Sequence, residues 1–111
     1  MITEYEVGQI PQQPLVVTVL DEFNNVPNLA GYTTYEIELL GSDNEGIDLT
    51  GVTLNTESAR NGRFLVLWPK THSLFTKRGD YLLRLVFKDD AGSRDYTRTH
   101  TIRVREFGRV N

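Results

Sequence analysis

The chain contains no cysteine. That excludes disulfides, thiolate metal sites and any mechanism with a cysteine nucleophile, and it leaves the redox compartment unreadable. Histidine is scarce, present only as His72 and His100. A general base needs a nucleophile within reach, and Ser73 beside His72 has no Gly-x-Ser-x-Gly elbow around it. His100 has the inward parity of a strand and reads as a structural residue. The glycines are scattered singly, as in turns, so no phosphate-cradling loop is formed. Basic excess is missing too. Twelve Lys and Arg stand against fifteen Asp and Glu, a net charge of −3, which gives no electrostatic reason to expect nucleic acid. No apolar run approaches the ~20 residues of a membrane span. Met1–Glu6 lacks the basic region and apolar core of a signal peptide, and no Asn-x-Ser/Thr site occurs. The expectation is a non-enzymatic chain without cofactor or metal. It stays in the cytosol where it is made, or leaves by lysis or within an assembly.

What is present is strand alternation. The centre of the pattern is Arg78 to Glu106, read as two long strands joined by a tight turn at Lys88-Asp89-Asp90-Ala91-Gly92-Ser93. Tyr81, Leu83, Leu85 and Phe87 share one parity, and side chains two apart lie on one face of a strand. The return strand sets Tyr96, His100, Ile102 and Val104 against a polar series. Upstream, Leu15–Leu20 is a β-branched run, and Tyr32–Leu40 places Tyr35, Ile37 and Leu39 inward. A weaker strand or pair is expected over Ile47–Leu54, and a strand over Gly62–Pro69 with Phe64, Val66 and Trp68 inward. Lys70–Arg78 is expected to hold one helical turn. Gly79-Asp80-Tyr81 before a long strand suits a tyrosine corner. Together these give an all-β fold, an Ig-like antiparallel β-sandwich of about seven strands. Residues 1–14 form an extended, proline-bearing arm, 15–106 a single sandwich domain, and 107–111 a short tail.

Candidate chemistry is thin. Arg78-Gly79-Asp80 spells an integrin-type tripeptide but sits where a turn must precede a strand. Asp43, Glu45 and Asp48 gather oxygen ligands near Gly46, yet their order does not match a calcium loop. Asp89, Asp90 and Asp95 repeat that pattern at the hairpin turn. The aromatics Trp68, Tyr32, Tyr35, Phe64, Tyr81 and Tyr96 suit a sugar platform only if exposed, and most have core parity.

One feature points to an interaction surface. Leu65, Leu67, Leu82 and Val86 face away from the core set of their own strands. If those strands are neighbours, the four residues form an apolar patch rimmed by Arg84, Arg63 and Lys88, and such patches mark protein contacts.

The lead-in, Leu15-Val-Val-Thr-Val-Leu-Asp21, the strand Gly62-Arg-Phe-Leu-Val-Leu-Trp-Pro69 and the hairpin Gly79-Asp-Tyr-Leu-Leu-Arg-Leu-Val-Phe-Lys-Asp-Asp-Ala-Gly92 resemble small Ig-like virion domains of tailed bacteriophages. They look most like minor tail proteins of actinobacterial siphophages, and are similar to the N-terminal sandwich of baseplate upper proteins. The chain departs from the latter by ending soon after Val104. The resemblance implies a structural subunit of the virion, in tail, tail tip or connector. It would dock non-covalently on other virion proteins, as decoration or within a symmetric ring, with no nucleic acid and no membrane as partner. The alternative is a module that binds carbohydrate on the host surface.

Overall fold

Tyr81, Leu83, Leu85 and Phe87 are all buried, as their shared parity requires, and Phe64, Val66 and Trp68 face them from a second sheet. The computed structural model describes residues 2–20, 23, 25, 27, 29 and 31–106. The tail at 107–111 lies outside them. The strands are β1 Ile2–Glu6, β2 Leu15–Thr18, β3 Thr34–Leu40, β4 Thr53–Asn55, β5 Arg63–Leu67, β6 Gly79–Lys88, β7 Arg94–Tyr96 and β8 His100–Arg105. The large sheet runs β1-β8-β6-β3, with β7 also on β6, and the small sheet runs β2-β5-β4. Every pairing is antiparallel except β1 on β8, which is parallel. β7 and β8 continue one interrupted strand. Counted so, the sheets read B-E-D and C-F-G in chain order, the layout of an Ig-type sandwich, with the first strand joined to G instead of B.

The tyrosine corner is present. The Tyr81 hydroxyl donates to the Lys77 carbonyl (2.8 Å) and accepts from the Lys77 N–H (3.2 Å), while its ring is 2% exposed. Two residues on, where antibody domains place the second cysteine of their inter-sheet disulfide, stands fully buried Leu83. The sheets are instead joined by aromatic packing. Phe64 stacks on Phe87 at 5.7 Å between ring centroids. At the other end Phe75 meets Tyr5, Trp68 and Tyr81 at 4.9–5.5 Å.

The proline-bearing lead-in is extended and begins by adding to a sheet edge: Ile2–Glu6 is β1, paired on β8, and Tyr5 turns inward to accept a hydrogen bond from Trp68 Nε1 (3.0 Å). Three expectations are corrected. Lys70–Arg78 forms no helical turn, because its polar groups are bonded elsewhere. The Phe75 carbonyl accepts from Gly8 N, and Ser73 Oγ donates to the Gln9 carbonyl. A 3-10 turn falls instead at Ala59–Asn61. Of the weak pair at Ile47–Leu54, only β4 and an isolated bridge between Leu40 and Gly46 form.

The return strand differs as well. Val86 faces Tyr96, but Leu83 faces His100, so three steps along β6 meet four along the return. One extra residue makes a bulge, and a slip of one residue turns a side chain to the opposite face. Thr97 closes the bulge: its N–H donates to the Leu85 carbonyl (3.1 Å) and its Oγ1 accepts from Leu85 N (2.9 Å). Tyr96 therefore leaves the inward series and lies outside, 47% exposed.

Candidate functional site

The expected patch is divided by the sandwich. β5 belongs to the small sheet and β6 to the large one, so Leu65 and Leu67 look out from one side and Leu82, Arg84 and Val86 from the other. Leu65 and Leu67 are half-buried, with exposed Val16 opposite Leu65 in register. Val86 is not available as a contact, being 2% exposed. It is flanked in register by Glu36 and Tyr96, and the Arg84 guanidinium stacks on the Tyr96 ring at 4.0 Å. That stack is a cation–π contact that fixes the arginine over the sheet. The apolar series failed because strand parity says nothing about which strand lies alongside.

Leu82 keeps its place and gains partners that the sequence reading missed. Across the outer face of the large sheet, Leu40, Leu82, Thr101 and Ile2 lie directly opposite one another on β3, β6, β8 and β1. Leu40 is 36% exposed, Leu82 37% and Ile2 51%. Residues directly opposite on adjacent strands point to the same side. The four thus form one row, apolar except for the Thr101 hydroxyl.

Charge borders the row on both sides. Arg84 Nε meets Glu38 at 2.6 Å on one side, and Arg103 Nε meets Asp80 at 3.1 Å on the other. Lys88–Glu36 (2.8 Å) and Arg105–Glu4 (3.4 Å) extend the pattern outward. Asp80 holds the Arg103 guanidinium even further above neutral pH than is usual, by its hydrogen bond and its charge. Exposed pairs of this kind contribute little to stability.

The other candidates resolve into local structure. Gly79 and Asp80 lie within β6 and Asp80 is ion-paired, so Arg78-Gly79-Asp80 is no displayed tripeptide. Asp43 accepts from the Glu45 N–H and meets Lys77. Asp48 accepts from the hydroxyl and N–H of Thr50. These bonds hold both carboxyls below the usual range, led by the Glu45 N–H and by the Thr50 hydroxyl respectively. At the hairpin, Asp89 accepts from Ser93 N, Asp90 from Thr33 Oγ1, and Asp95 from the Tyr32 hydroxyl. No cluster of metal-ligating side chains occurs among the described residues. His72 is bonded to its neighbour Thr71, and His100 shares a 2.8 Å hydrogen bond with Thr3 across the β1–β8 pair. Burial holds the His100 imidazole below its ordinary pKa. Trp68, Phe64 and Tyr81 are within the core and cannot stack on a sugar.

Fold and surface together define an Ig-type sandwich whose outer sheet face pairs an apolar row with ion-paired borders. No protein-family model matches the chain, and no curated protein matches its sequence.

Proposed function

We propose that the protein is a structural subunit of a phage virion, without catalytic activity, which docks on neighbouring virion proteins through the outer face of its large sheet. The observation that carries the docking role is the Leu40–Leu82–Thr101–Ile2 row. Three large apolar side chains stay in water there, although the opposite face of the same strands has a filled core. An exposed apolar row within a charged border has the composition of a contact surface: an apolar centre with a polar rim. The placement in a virion rests on the resemblance of β2, β5 and the β6 hairpin to Ig-like tail proteins.

The test is Leu82→Asp. The side chain lies outside the core, so the variant is expected to keep its melting temperature while losing incorporation into particles. Wild-type incorporation by a folded Leu82→Asp protein would overturn the docking role. Neighbouring reading frames that encode no tape-measure, tail-assembly or other virion proteins would overturn the placement.

A further inference from the structure

The small sheet is one strand narrower than the large one. β1, β8, β6 and β3 span four positions, against three for β2, β5 and β4. β3 and β4 approach each other on one flank. The shortfall is therefore on the other flank, beside β2. A groove of about 720 Å³ lies between β2 and the break separating β7 from β8, closed at one end by Pro27, Leu29 and Tyr32. Val17, Val19 and Phe87 reach into it from the core, and Arg98 and His100 stand on its far wall.

The backbone of β2 is directed at this groove. Val19 N donates to the Gly62 carbonyl (2.6 Å), which together with the register turns residues 15, 17 and 19 toward β5. In an antiparallel pair the intervening residues point their N–H and C=O groups the opposite way. Val16 and Thr18 thus present theirs to the groove, where no described residue pairs with them.

The edge also carries no charge. Exposed edge strands in soluble proteins carry charges, prolines or bulges that prevent pairing with another chain. β1 carries Glu4 and Glu6, β3 carries Glu36 and Glu38, and β4 is only three residues long. Leu15-Val16-Val17-Thr18-Val19-Leu20 contains no charge at all.

We infer that the β2 edge accepts an extended segment of another protein as the fourth strand of the small sheet, by β-augmentation. The segment has apolar residues at alternate positions, to enter the groove beside Val17 and Val19. It also carries a carboxylate for Arg98, which has no acidic partner among the described residues. The carboxylate for Arg98 sets this occupant apart from a second copy, whose own Leu15–Leu20 edge carries no charge. This surface is separate from the Leu82 row, and the two proposals fail separately.

The probe is a short capped peptide alternating valine and threonine with one glutamate, titrated into isotope-labelled protein. Binding is expected to shift the Val16 and Thr18 amides and slow their hydrogen exchange. Thr18→Pro removes an edge N–H without touching the bonds to β5, and is expected to weaken binding roughly tenfold. Val16→Pro is the substitute if that variant fails to fold. Arg98→Glu is expected to move the preference to a peptide with lysine in place of glutamate. Leu82→Asp is expected to leave peptide binding unchanged. Absence of saturable shifts, or shifts centred on Leu40 and Leu82, would overturn the inference. So would a concentration-dependent dimer dispersed by Thr18→Pro, since the occupant would then be a second copy.

Discussion

Tyr81→Phe removes one oxygen atom and tests whether the corner holds the crossing between the sheets. The hydroxyl satisfies both groups of one residue, donating to the Lys77 carbonyl at 2.8 Å and accepting from its N–H at 3.2 Å. Leaving a buried partner unsatisfied costs ~1–3 kcal/mol. Lys77 is on the surface, so water recovers part of that loss, and the expected cost is about 1.5 kcal/mol. For a domain of this size that is a fall of about 6 °C in melting temperature. The chain has one tryptophan, Trp68, which is buried against Tyr5 and Phe75. Its fluorescence during urea unfolding reports the midpoint, and an unchanged slope shows that the variant unfolds through the same surface change. Tyr5→Phe is the comparison. It strands the indole N–H of Trp68, 3.0 Å away on a residue that is 3% exposed, so water recovers little there and the cost should be comparable, ~1–3 kcal/mol. A Tyr81→Phe loss below about 0.5 kcal/mol would refute the corner as a structural lock.

Gly79 has φ +129°, and a Cβ placed there would lie 2.4 Å from Ser42 Cβ. Gly79→Ala is expected to lower the urea midpoint strongly, and Ser42→Gly should restore only the part due to the clash, leaving a backbone cost of ~1–3 kcal/mol. Thr97→Val removes the oxygen that accepts from Leu85 N; an expected cost of about 1–2 kcal/mol should appear with faster exchange of the Leu85 amide. His100 has its pKa lowered from 6.5 by burial, so the native state binds fewer protons than the unfolded state just below that pH. Its contribution is complete above pH 6.5 and is lost as pH falls toward the native value; His100→Gln should flatten the stability profile in that window, and an unchanged slope would refute the assignment.

The sequence by itself determined the class of fold, the inward series of β3, β5 and β6, and the tyrosine corner. Each depends on side chains one or two residues apart on a single strand, or on a turn a few residues upstream. Period-two alternation is a local property, so Tyr81, Leu83, Leu85 and Phe87 could be assigned to one face without knowing what they face. Only the tertiary structure decided which strands are neighbours. Leu65 and Leu82 have the same outward parity, yet they lie on opposite sides of the sandwich because β5 pairs with β2 and β4, while β6 pairs with β3 and β8. Tyr96 shares its parity with Ile102, yet one bulged residue near Thr97 places it outside. The row from Leu40 to Ile2 joins residues from nearly both ends of the described chain, and its alignment comes from three separate strand registers. Parity is set by the covalent geometry of each residue. Register and sheet membership are set by contacts between distant segments, and those exist only once the chain has folded.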